Sequence, residues 1–230
     1  MIGLCTDSNS QLPQALVRRF GVEVVPITVT VDDVDYLEGV DLDADGFYAK
    51  FDLGRTPIVT TSQPSPGQFA VAYEGLVARG ATEILSIHVG ASVSGTLNSA
   101  RLAARSVAVP VRLVDSATAS FGISCCVWAA AEAIESGASL DEAAAVAETL
   151  APRIGNVFIV GGLDLMQKGG RSGADHECIW RILGKAGAHL GHDLQIDFKQ
   201  IIAAHAGLAR NTCGNDADIG SGNAFIFVGA

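Results

Sequence analysis

From residue 2 to about residue 160, short runs of β-branched and apolar residues alternate with segments of helical periodicity, and this alternation constrains the fold more than any other feature of the sequence. Ile2 to Cys5, Val22 to Val31, Glu83 to Val89, Val111 to Val114 and Asn156 to Val160 read as strands, the second of them as one strand or two. Leu12 to Phe20, Gly67 to Ala78, Leu97 to Ser106, Phe121 to Glu135 and Leu140 to Leu150 read as helices, with a shorter one expected around Phe47 to Phe51. Strands separated by helices pair in parallel, because a parallel connection must travel back along the sheet. The expected fold class is therefore α/β, a mainly parallel sheet flanked by helices over residues 1–153. A second, smaller α/β domain, shortened or divergent, is expected over residues 154–230. The Phe121 helix is apolar nearly all round and should be buried.

In an open parallel sheet, ligands bind outside the carboxyl ends of the strands. Three loops are expected there: Thr6 to Ser10, Gly90 to Thr96 and Asp115 to Ser120. In the second, Ser92-Val93-Ser94-Gly95-Thr96 stands between a strand and a helix, so hydroxyls lie beside the N–H groups of a helix start. That arrangement suits an oxygen anion, although Ser94 or Thr96 could equally be a simple helix cap. Thr60-Thr61-Ser62-Gln63-Pro64 offers hydroxyls and an amide in what reads as a polar loop up to Pro66, or is a stiff connector into the next helix. Gly169-Gly170-Arg171 allows a sharp turn that presents one guanidinium to a carboxylate or phosphate, or merely ends a helix.

Other chemistries fit less well. His88, Ser92, Ser94 and Asp115 could form a nucleophilic set, but the Gly-x-Ser-x-Gly elbow is missing. A small serine-dependent hydrolase or phosphotransferase using the Ser94 loop stays as the alternative function. The Gly-Lys-Ser/Thr ending of a nucleotide-binding loop is absent from that segment. His189 and His192 have helical spacing but no evident third metal ligand, and Asp41, Asp43 and Asp45 begin like a calcium loop that ends in Asp52 instead of Glu.

Composition narrows the partners. Apolar residues make up 49% of the chain and charged residues only 17%, and mean hydropathy is +0.34, so some apolar surface is available for a ligand. A net charge of −10 with no basic cluster argues against nucleic acid. The five cysteines have no framework spacing, and Cys125 and Cys126 are adjacent, as in buried thiols of a reducing cytosol. The N-terminus has no signal-peptide pattern, and the longest apolar stretch, Phe121 to Ala131, is too short to span a bilayer. A cytoplasmic protein without an integral membrane segment is expected.

An ordered set of motifs then resembles one family. It consists of Cys5 to Pro13, Val25 to Val29, Tyr36 to Asp41, Thr61-Ser62-Gln63-Pro64-Ser65-Pro66, Ser94-Gly95-Thr96, Val114-Asp115-Ser116 and Lys168-Gly169-Gly170-Arg171. Over roughly residues 1–173 the chain is similar to the DegV family, whose characterised members are the fatty-acid-binding subunits of bacterial fatty-acid kinase. The resemblance implies a carrier that binds a long-chain fatty acid as its ligand, without any cofactor. It implies that a partner kinase subunit phosphorylates the carboxylate and that the carrier performs no chemistry itself. It implies ligand-binding roles for Thr61, Ser62, Ser94, Gly95, Thr96, Arg171 and, near the chain end, His205. Beyond Arg171 the pattern departs: Ser172 stands where the family has Ile, and His205-Ala206-Gly207 is followed by Leu208 where Pro is usual.

Overall fold

The computed structural model describes residues 1–51 and 56–155. Its centre is a four-stranded, fully parallel sheet of β1 (Ile2–Asp7), β2 (Glu23–Val25), β6 (Glu83–His88) and β7 (Val111–Asp115), in the order β2-β1-β6-β7. A second, three-stranded antiparallel sheet is inserted between β2 and β6. It is built from β3 (Thr28–Val31), β4 (Val34–Leu37) and β5 (Val59–Ser62), with β3 in the middle. The helices are α1 (Gln14–Phe20), α2 (Ala44–Tyr48), α3 (Pro66–Ala78), α4 (Thr96–Ala103), α5 (Phe121–Glu135) and α6 (Leu140–Leu150).

The two-residue period of the strands sorts the core into two layers. Leu4, Leu85, Ile87 and Val114 face α5 and α6 and meet Ile123, Val127, Ala130, Ala143 and Ala147; Leu16 and Phe20 of α1 pack on the same cluster. The alternate residues Cys5 and Ile84 join Phe69, Tyr73 and Leu76 of α3 and Ala100 and Ala103 of α4. Helices thus cover both faces, as a parallel sheet requires. Small side chains set the approach of α5 and α6, where Ala130, Ala143, Ala144 and Ala147 are all fully buried. Cys126 is sealed in that layer, and burial pushes its thiol up to about 12.

Most elements lie where the periodicity puts them, and α5 and α6 have the expected bounds. The Val22–Val31 run is two strands in two different sheets, divided at Pro26-Ile27, because proline has no N–H to carry a ladder onward. The Thr60–Pro66 segment differs from the expected loop: Thr60 to Ser62 form the edge strand β5, paired with β3 through Val29↔Thr61 and Thr28↔Ser62. Hydroxyl side chains hid the strand because they carry no hydrophobic alternation on an edge that keeps them exposed. Asp32 and Asp33, both with positive φ (47° and 65°), make the tight turn between β3 and β4. Asp43 caps α2 through Gly46 N–H, and Asp41 accepts from Leu37 N–H, so these two acidic residues serve local turns. The strand expected at Asn156 to Val160 and the rest of the domain expected over 154–230 lie outside the described residues, apart from Ile154 and Gly155.

Burial ranks the positions for a stability test. Ile87 is fully buried in the sheet, whereas Val71 on α3 is 71% exposed. Chemical denaturation of Ile87→Ala should show a loss of about 3 kcal/mol, and Val71→Ala a change within about 0.5 kcal/mol.

Candidate functional site

The strand order places a reversal of winding between β1 and β6, since the chain moves outward from β1 to β2 and then returns to build β6 and β7 on the other side. Ligands of open α/β sheets bind at the carboxyl end of such a reversal. The residues there are Asp7 at the end of β1 and His88 at the end of β6, both fully buried. His88 Nδ1 donates to Asp7 Oδ2 at 2.9 Å, Val89 N–H donates to the same oxygen at 3.2 Å, and Asn9 N–H donates to Asp7 Oδ1 at 3.1 Å. On the other side of the ring, His88 Nε2 lies 2.6 Å from Ser86 Oγ, which in turn lies 2.9 Å from Tyr73 OH. Phe69 packs edge-on against the imidazole at 5.0 Å.

Ser86, His88 and Asp7 therefore have the connectivity of a hydrolase triad, but all three are fully buried and the serine points into the core. Both ring nitrogens of His88 are occupied, so this histidine cannot act as base for Ser94. Asp115 is likewise engaged: its Oδ1 accepts from Ala91 N–H and Ala117 N–H, shaping the loops after β6 and β7. Gly90 lets those two loops touch, since a Cβ there would lie 3.1 Å from the Ala117 backbone.

One hydroxyl segment follows the exit of β6, and the other forms β5. Thr60, Thr61 and Ser62 are exposed along β5. Ser94 Oγ lies 2.8 Å from Thr96 Oγ1 and accepts from Thr96 N–H at 3.2 Å, while Gly95, the N-cap of α4, makes no side-chain cap bond of its own. Ser94 thus accepts from the first N–H of α4, and its hydroxyl also pairs with that of Thr96. The two segments meet through Gln63, whose amide lies against Gly95 and whose Nε2 donates to Ser99 Oγ at 3.1 Å. The structure so links, through Gln63, the end of edge strand β5, which carries Thr61 and Ser62, to the loop and helix start formed by Ser94, Gly95 and Thr96. Arg171 and His205 lie outside the described residues.

Gln63 and Glu38 fall within the ordered motifs, but the sequence assigns neither a role of its own. Ser8 Oγ donates to Glu38 Oε2 at 2.5 Å and accepts from Ile27 N–H at 3.0 Å, so one serine ties the end of β1 to the antiparallel sheet. Burial raises the Glu38 carboxyl above its ordinary value, and the Asp7 charge adds to the shift, against the Ser8 hydrogen bond that lowers it. An aspartate-serine pairing at 7–8 and a glutamate thirty residues on carry no sequence signal that they meet. A carboxyl raised on folding favours the protonated folded state, so its stabilising effect is present below the ordinary value of 4.5 and lost as pH rises through the raised one. Glu38→Gln keeps an acceptor for Ser8 and removes that titration. Denaturation across pH 4–7 should show the variant gaining stability relative to the parent as pH rises, with the two nearest each other at the acid end.

Among the described residues, no helix is long and apolar enough to cross a membrane, and no cluster of three or more His, Cys, Asp or Glu could hold a metal ion. A family model described as "Uncharacterised protein, DegV family" matches residues 1–208. A DegV domain-containing protein of Streptomyces coelicolor is 38% identical over 173 residues, covering 75% of this chain and 61% of that protein. One from Deinococcus radiodurans is 36% identical, covering 75% and 60%. The chain thus spans about three fifths of the length of these relatives. Among solved structures, the fatty-acid-binding DegV family protein of Thermus thermophilus superposes with a TM-score of 0.68 at 36% identity, covering 84% of this chain and 65% of that one. DegV of Bacillus subtilis, a fatty acid binding protein, superposes with a TM-score of 0.69 at 27% identity, covering 85% and 65%. The parallel sheet with helices on both faces, the ordered motifs and these matches together place the chain in the DegV family.

Proposed function

We propose that this chain binds a long-chain fatty acid, holds its carboxylate among Thr61, Ser62, Ser94, Gly95 and Thr96, and presents that carboxylate to a partner kinase subunit for phosphorylation. The observation that supports this reading is the meeting of two hydroxyl-bearing segments across Gln63, one of them the loop after β6, and loops at the carboxyl ends of strands are where open α/β sheets commonly take ligands. The fatty-acid-binding relatives of Thermus thermophilus and Bacillus subtilis support the ligand class. His205 is the further contact to the carboxylate that the family resemblance implies, and Arg171 is read as a contact either to the head or to the kinase and its phosphate. The chain itself is read as a cytoplasmic carrier and not an enzyme.

Energetics divide the work between tail and head. A tail of about fifteen carbons contributes on the order of 12 kcal/mol gross at about 0.8 kcal/mol per buried CH₂, much of it offset by association and ordering costs. Each hydroxyl contact to an anion contributes about 1–3 kcal/mol. The tail sets affinity, and the head loops set which end is offered outward. The competing hydrolase reading has less support, because Ser94 Oγ is engaged with Thr96 and both nitrogens of His88 are taken.

Native mass spectrometry of protein from a bacterial host should reveal a co-purifying mass in the fatty-acid range. A clean apo mass with no uptake of added palmitate, or turnover of simple esters, would sink the proposal. Thr61→Val and Ser94→Ala should each weaken palmitate binding roughly tenfold while weakening methyl palmitate less than about threefold. Equal losses for both ligands would assign these hydroxyls to structure. Arg171→Ala should leave palmitate binding nearly intact and slow phosphoryl transfer by a cognate kinase at least about tenfold, since it removes a charge-assisted contact.

A further inference from the structure

We infer that Gln63 is a positioning residue for the acid head: its amide, laid over Gly95 and bonded to Ser99, sets the separation between the hydroxyl edge of β5 and the Ser94–Thr96 pair. The inference rests on the fatty-acid reading above and adds to it the residue that makes two segments into one site.

Gly95 supplies the first argument. Its φ of −80° and ψ of 4° are open to any residue, so the backbone does not call for glycine. As the N-cap of α4 it does without the side-chain oxygen that serine, threonine, asparagine or aspartate would bring. What the missing Cβ makes room for is Gln63, whose Cδ and Nε2 would stand 2.8 and 2.9 Å from it, with Oε1 closer still. The N-cap position carries no side chain, and the glutamine amide occupies the space one would take.

Ser99 supplies the second. Gln63 Nε2 donates to Ser99 Oγ; Gln63 is exposed but Ser99 is only 2% exposed, so the bond runs from the surface onto a buried hydroxyl of α4. Ser99 is one turn beyond Gly95, and its own N–H donates to Gly95 C=O. The amide therefore grips the first turn of the helix that carries Thr96. At its other end the Gln63 main chain is held on both sides. Ser62 pairs with Thr28, Pro64 is buried, and Ser65 caps α3 in a reciprocal capping box with Gln68. With its root fixed and its tip bonded, the side chain is a short arm between the end of β5 and the first turn of α4.

The chemistry of the arm matters too. A neutral amide next to a carboxylate head adds no repulsion, whereas a carboxylate of the same shape would. Gln63→Glu is thus a probe of how near the arm lies to the head.

The test uses the full chain and reads displacement of a fluorescent fatty acid by palmitate and by methyl palmitate, with thermal unfolding in parallel. Gln63→Ala should weaken palmitate about five- to tenfold and methyl palmitate less than about twofold. Gly95→Ala should do the same, because its Cβ displaces the amide; the displaced atoms are the end of a flexible side chain, so the midpoint should move by no more than about 2 °C. In the Gln63→Ala background, Gly95→Ala should cost nothing further, since the obstacle has gone. Gln63→Glu should show the largest palmitate loss and little change for the ester. Equal losses for acid and ester, or independent additive losses from the two single variants, would overturn the role of Gln63 while leaving fatty-acid binding in place. A parent protein that binds neither ligand would overturn the fatty-acid reading itself.

Discussion

The carboxylate of Asp7 accepts hydrogen bonds from the His88 ring, from Val89 N–H and from Asn9 N–H in a place water does not reach. A buried carboxylate is costly unless its oxygens are filled, and here both are. Because the donors come from β1's own exit and from the exit of β6, 81 residues away, satisfying the charge means joining the two strands at one level. The loops that leave those strands start from a fixed base. Ser116 extends the same layer, its hydroxyl donating to His88 C=O, so the exit of β7 is tied in as well. Tyr73 and Ser86 complete the chain of bonds and attach α3 to the sheet beneath it.

The antiparallel sheet depends on that base. Ser8, next to Asp7, bonds to Glu38 and to Ile27 N–H, where the chain has just left the parallel sheet. This short clamp places β3, and β3 carries β5 by direct pairing. The hydroxyl edge of β5 is therefore located by polar contacts near the ends of strands, while Val29, Val31 and Leu42 form only a small apolar cluster of their own. The apolar layers on either side of the parallel sheet keep the stability.

A triad-like network inside a protein read as a carrier illustrates how connectivity and access differ. Ser86, His88 and Asp7 are linked in the order a hydrolase uses, yet Phe69 and Tyr73 close the ring off from solvent. The same bonds that would activate a nucleophile at a surface here do structural work in a core. Residue types alone could not tell these apart, and the set read from the sequence, with Ser92, Ser94 and Asp115 around His88, chose different partners for the histidine.

The local periods were legible in the chain: α5 and α6 have the bounds their apolar spacing predicts, and β1, β6 and β7 lie within two residues of theirs. Helix and strand periods are set by near neighbours, so near neighbours reveal them. The ordered motifs likewise showed the family. β5 was hidden, because an exposed edge strand of threonine and serine needs no apolar alternation, and so was the division of Val22 to Val31 between two sheets. The pairing of Asp7 with His88, of Ser8 with Glu38 and of Gln63 with Gly95 and Ser99 was decided only when the sheets closed. Those contacts span 30 to 81 residues, and no local pattern encodes them: the amino acids supplied donors and acceptors, and tertiary packing chose which of them would meet.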